Sequence, residues 1–119
     1  MLIKTLRDIA AFTAGDGSAL REIFHPVRDG WPVRCSLARA AVPAGRRTLP
    51  HRLKSAEVYL VLEGRGLMRV GEESAEIGPG QAVCVPPAAV QSVESLGPGD
   101  LVFLCLVDPA WRAEDEEIL

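Results

Sequence analysis

Apolar residues in this chain fall into short runs with a period near two, and clusters of Gly, Pro and Asp separate the runs. That rhythm predicts strands rather than helices. Residues 1–14 carry Leu2, Ile3, Leu6, Ile9, Ala10 and Phe12, a pattern that a short strand or one helical turn satisfies equally. Gly15-Asp16-Gly17-Ser18 is a turn. Residues 19–24 read as a strand ended by His25-Pro26, with Asp29-Gly30 as a second turn signal. Residues 33–42 read as a longer strand, with Cys35, Leu37, Arg39 and Ala41 on one side and Arg34, Ser36, Ala38 and Ala40 on the other. Further strands follow over residues 56–63, 67–70, 74–77, 81–85, 90–93 and 101–107, most of them closed by glycine or proline. Roughly eight to ten short strands with turns every 8–12 residues indicate an antiparallel sandwich, jelly roll or barrel.

The stretch from Gly45 to Gly64 is the most informative. Residues of equal parity in a strand face the same side. Without a bulge, His51, Leu53, Glu57, Tyr59 and Val61 share one face, and Arg52, Lys54, Val58, Leu60 and Leu62 take the other. A histidine and a carboxylate on one interior face form a candidate metal or acid–base site. Tyr59, the sole tyrosine, shares that face and could offer its hydroxyl to a ligand. Arg46 and Arg47 lie in the preceding loop, within reach of the same mouth, where they would favour an anionic substrate. His25, at a strand end, reads as an edge residue.

Composition narrows the classes. With 119 residues, 48% of them hydrophobic, the chain suits one domain with one core. A net charge of −3 without a basic patch argues against nucleic-acid binding. No run reaches the roughly 18 apolar residues of a transmembrane helix, and charges interrupt the N-terminus where a signal peptide needs an apolar core. Cys35, Cys84 and Cys105 are far apart and form no CxxC pair, as expected of reduced, buried thiols in a cytoplasmic protein. Run 101–107 is apolar on both faces, which predicts cover from a second sheet and a homodimer. The acidic end, 108–119, reads as a solvated tail.

Gly45, His51, Glu57 and Gly64 fall at the spacings of the first motif of the cupin superfamily, and this stretch resembles it. The second motif is echoed by Gly80, Pro86, Ala88, Gln91 and Ser95. The resemblance covers residues 33–107 and implies an all-β, cupin-type antiparallel β-barrel or double-stranded jelly roll. On that basis the chain is expected to be a single domain over 1–119, with a barrel core at 33–107, an N-terminal strand arm at 1–32 and the tail at 108–119. The resemblance also implies a divalent metal held by two histidines and a glutamate of the first motif and a histidine of the second. Here Leu53 and Gln91 stand at two of those histidine positions. The implied set is therefore His51, Glu57 and Gln91, which would hold Zn, Mn, Ni or Fe only weakly. Alternatively the three hydrogen-bond one another and hold no metal. An inward Cys105 would add a soft ligand if it were a thiolate.

Two functions follow from different classes. As an enzyme, the protein would use His51 and Glu57 as an acid–base pair in isomerase- or epimerase-like chemistry on a sugar or small carboxylate. As a binding module, it would sense or carry a small metabolite without a metal. An oxygenase is disfavoured, because strong iron ligands are lacking.

Overall fold

The computed structural model describes residues 1–119. Eleven strands are arranged in two antiparallel sheets. They are β1 (Phe12–Thr13), β2 (Ala19–Phe24), β3 (Ser36–Val42), β4 (His51–Leu53), β5 (Ala56–Glu63), β6 (Gly66–Val70), β7 (Glu73–Ile77), β8 (Ala82–Val85), β9 (Gln91–Ser95), β10 (Leu101–Asp108) and β11 (Glu116–Ile118). One sheet has the order β1-β2-β3-β10-β5-β8 and the other β11-β4-β9-β6-β7. The fold is an all-β antiparallel jelly roll, as the strand rhythm predicts and as the resemblance implies.

Alternation drives the packing. Along β5, Glu57, Tyr59 and Val61 are buried while Leu60 and Leu62 are exposed. On β10, which lies between β3 and β5, Leu101, Phe103, Cys105 and Val107 are buried, and Leu106 is exposed on the opposite face. Ala40, Val42, Val61, Met68, Val85, Val93, Leu101 and Phe103 belong to one core cluster between the sheets.

Gly64 closes the β5–β6 connection at φ +83°, and a Cβ there would overlap the backbone carbonyl oxygen of Asp100. Only glycine fits both the dihedral and the space. Ala88 adopts φ +67°, at the position where the second cupin motif carries glycine, and its N–H donates to the Leu53 carbonyl at 2.7 Å.

Three expectations need correction. The stretch from His51 to Glu63 is two strands in different sheets, divided at Lys54-Ser55. The shared face nonetheless survives, because His51, Leu53, Ser55, Glu57, Tyr59 and Val61 are all buried. Secondly, residues 1–32 do not form a separate arm. After a 3₁₀ turn at Leu6–Asp8, β1 and β2 extend the larger sheet through β3. Thirdly, the acidic end is not a free tail: β11 pairs with β4, Glu116 opposite Leu53 and Ile118 opposite His51. Its backbone satisfies the edge of β4, a benefit that charged side chains do not cancel.

Candidate functional site

A cavity of about 150 Å³ opens between the sheets at the end of the barrel where β4 meets β5. Its wall includes His51 and Leu53 from β4, Glu57 and Tyr59 from β5, and Phe103, Cys105 and Val107 from β10. Phe12, Asp16, Trp111 and Glu116 come from the N- and C-terminal segments.

His51 is buried, and its Nδ1 lies 2.7 Å from the Leu49 carbonyl oxygen. A carbonyl only accepts, so Nδ1 carries a proton and the neutral ring keeps its lone pair on Nε2. Nε2 stands 3.8 Å from Asp16 Oδ2, too far for a hydrogen bond. Asp16 is itself fixed, with Oδ1 accepting from the Ser18 N–H at 2.9 Å and the Ser18 hydroxyl at 2.7 Å. Glu57 is 7% exposed, and its buried Oε1 has no hydrogen-bond partner. Burial pushes its pKa from the ordinary 4.5 up to about 7. The Gln91 amide opposes this rise, and the charges of Asp16 and Glu116 add to it.

Tyr59 stacks on Phe103, with ring centroids 4.8 Å apart, and donates its hydroxyl to Gln91 Oε1. The Gln91 carbonyl thereby accepts from Tyr59, and the Gln91 amide also hydrogen-bonds Glu57, so Gln91 joins the two from beside the cavity wall. Cys105 does point inward, opposite Tyr59, but burial raises its pKa well above the usual thiol value, so it stays protonated.

The structure brings His51, Glu57 and Tyr59 into one cavity wall, with Gln91 directly opposite His51 on the neighbouring strand and hydrogen-bonded to Tyr59 at the edge of that wall. Arg46 and Arg47 are exposed and outside the cavity wall. Their loop runs along β9: the Ser95 N–H donates to the Arg46 carbonyl at 2.8 Å, and Arg47 forms a backbone β-bridge opposite Glu94. The backbone of this loop is tied to β9, and neither arginine lines the cavity whose mouth the sequence suggested for them. Asp16, Trp111 and Glu116 were missed as site residues. Asp16 carried only a turn signal, and the other two lay in a segment without strand periodicity.

The donor set does not fit a tightly held metal. Of the ligand positions that the resemblance implies, His51 Nε2 and Glu57 are the strong donors; Leu53 supplies none, the Gln91 carbonyl accepts from Tyr59, and Cys105 is a buried thiol rather than a thiolate. No three His, Cys, Asp or Glu side chains converge as a metal site.

Comparison with known proteins bears on this geometry. The Cupin domain model matches residues 38–107, more than half of the chain. The chain belongs to the cupin family. This cupin is 41% identical to an uncharacterized protein of Methanocaldococcus jannaschii, over 99% of the present chain and 95% of that one. Among solved structures it superposes on a predicted oxalate decarboxylase from Thermotoga maritima with a TM-score of 0.79 and 18% identity, covering 91% of this cupin and 99% of that chain. A Thermus thermophilus protein gives 0.73 and 28%, covering 93% and 100%. The polyketide cyclase of Streptomyces resistomycificus gives 0.76 and 20%, covering 97% and 89%. At 18% and 20% identity, the decarboxylase and the cyclase share the fold with this cupin and carry no substrate across.

Proposed function

We propose that this cupin binds a small molecule in the barrel cavity and moves a proton on it, with Glu57 and His51 as the acid–base pair. The observation that carries this reading is the buried, unpartnered Oε1 of Glu57 in the cavity wall. A polar atom so buried is costly unless something pairs with it, and a bound ligand group would do so. His51 Nε2, with its lone pair held ready by the Nδ1 contact to Leu49, is the second proton-transfer group. The chemistry is isomerase- or epimerase-like. Of the two substrate classes expected, the sugar suits the wall better than the small carboxylate, because no Lys or Arg side chain lines the cavity. No step runs through a metal. Any divalent ion would be held by His51 and Glu57 with waters, and weakly.

Non-catalytic ligand binding is the second reading. The observation favouring it is the hydrogen bond from the Tyr59 hydroxyl to Gln91, which commits that hydroxyl to a structural contact and removes it as a further proton-transfer group. Solvent-deuterium exchange separates the two. Aldoses and ketoses incubated with the protein in D2O should gain deuterium beside the carbonyl, and Glu57→Gln should abolish the gain. Binding without exchange supports the module; failure of every aldose and ketose to bind overturns the sugar assignment.

The assembly belongs to the same proposal. Leu60, Leu62 and Leu106 are exposed on the outer face of the larger sheet. β5 and β10 are adjacent, so a two-fold partner laying the same strands across them would cover this face. We place this homodimer in the cytoplasm, where Cys35, Cys84 and Cys105 stay reduced. No helix is long and apolar enough to cross a membrane.

A further inference from the structure

The cavity wall has a marked imbalance of charge. Asp16, Glu22, Glu57 and Glu116 line it, and no lysine or arginine does. Glu22 is neutralised from outside, with Arg28 Nη1 2.6 Å from its Oε1. The other three carboxylates have no such counter-charge. The only basic group near Asp16 is His51, whose Nε2 lies beyond hydrogen-bond distance. Glu116 Oε2 accepts from Trp111 Nε1 at 2.7 Å, a neutral donor. Glu57 Oε1 has no partner at all.

The remaining wall is aromatic and aliphatic. Phe12, Tyr59, Phe103 and Trp111 all contribute, with Leu53 and Val107 between them. Aromatic faces attract cations through their quadrupole and accept methylene groups through apolar contact. An anion entering this space would meet three carboxylates with nothing to offset them. A neutral alcohol would find a hydrogen-bond acceptor but would leave the carboxylates uncompensated. A small cation would satisfy the orphaned Glu57 oxygen and offset the field of Asp16 and Glu116 in a site shielded from water.

We propose that the cavity recognises a small organic cation, an ammonium-bearing ligand whose charged head pairs with Glu57 between Asp16 and Glu116 and whose alkyl body lies on the aromatic wall. This deepens the reading above and rests on the cavity being the ligand site; it assigns a substrate class that the sequence reading, with its emphasis on Arg46 and Arg47, pointed away from. An amino-bearing carbonyl compound would satisfy both the cation site and the proton-transfer pair.

Three probes of matched size test it: n-butylammonium, n-butanol and n-butyrate, each titrated into the protein at about pH 8, where Glu57 is ionised, and at constant ionic strength. The resonances of Tyr59, Trp111 and His51 are followed by NMR. The expected result is that butylammonium binds at least tenfold more tightly than butanol and that butyrate binds most weakly. Glu57→Gln, which keeps the shape and removes the charge, should lose at least tenfold in butylammonium affinity and leave butanol unaffected. Asp16→Asn should weaken butylammonium in the same direction. Butanol or butyrate binding as tightly as butylammonium would overturn the cation assignment and leave the cavity standing as a ligand site. The same butylammonium affinity in wild type and Glu57→Gln would overturn it too. If none of the three moves the cavity resonances, the small-molecule reading fails, and the cation assignment with it.

Discussion

The inward face of β5 contains two different environments four residues apart. Val61 is buried in the core cluster with Met68, Val93, Leu101 and Phe103. Glu57 is almost as deeply buried, yet it faces a cavity and one of its oxygens has no partner. Tyr59 lies between them, with its ring on Phe103 and its hydroxyl on Gln91. The same alternation that packs one end of the barrel holds a carboxyl in low dielectric at the other. Burial by itself therefore does not distinguish structure from site; the presence or absence of a partner does.

The largest expected effect breaks the packed end. Gly64→Val puts a Cβ onto the Asp100 carbonyl and a branched side chain at positive φ. Chemical denaturation should show a loss of more than about 3 kcal/mol. An unchanged midpoint would mean that the β5–β6 connection is not packed as described.

The next acts on the cavity end and has the opposite sign. The folded-state pKa of Glu57, about 7, lies above its ordinary 4.5. Between those values the folded protein binds more protons than the unfolded chain, so stability is fully present below the lower value and falls as pH rises toward 7. The total loss is roughly 3 kcal/mol. Glu57→Gln should flatten this part of the profile and raise the melting temperature at about pH 8 relative to wild type. Parallel profiles for the two proteins would place Glu57 in water.

A third experiment sharpens the contrast by filling the cavity end with donors. Leu53→His combined with Gln91→His adds two imidazoles to His51 and Glu57. Zinc or nickel affinity should rise at least tenfold, about 1.4 kcal/mol or more, in a calorimetric titration. No gain would mean that positions 53 and 91 do not converge on His51 and Glu57.

The smallest effect concerns Ala88, held at positive φ against Leu53. Ala88→Gly relieves that conformation, offset in part by glycine's freedom in the unfolded chain. A net gain of about 0.5–1 kcal/mol in denaturant unfolding is expected. A loss would show that the Ala88 methyl packs usefully.

Much of this was legible in the sequence, for a definite reason. β2 and β5 coincide with the predicted strands, and β10 runs one residue past its prediction, because a half-buried strand writes its two faces into alternate residues. The shared cavity of His51 and Glu57 was also legible, although they lie on strands of different sheets, since the bend at Lys54-Ser55 preserves parity. Strand β11 was not. Three residues, two of them glutamate, carry no periodic signal, and their order comes from pairing with β4, which only the tertiary structure supplies. Asp16 was hidden because a Gly-Asp-Gly-Ser turn looks the same wherever it sits. Arg46 and Arg47 misled because proximity in sequence to His51 does not reveal that the loop follows β9.

The most direct test is the titration of the Glu57 carboxyl itself. With carbon-13 label in the glutamate side chains, and Glu57→Gln to assign the signal, its chemical shift can be followed from about pH 3 to about pH 9. A midpoint near 7 is expected of a buried carboxyl with an orphaned oxygen among the charges of Asp16 and Glu116. A midpoint at the ordinary 4.5 would mean that Glu57 is solvated or already paired, and would contradict the assignment of this cavity as the functional site.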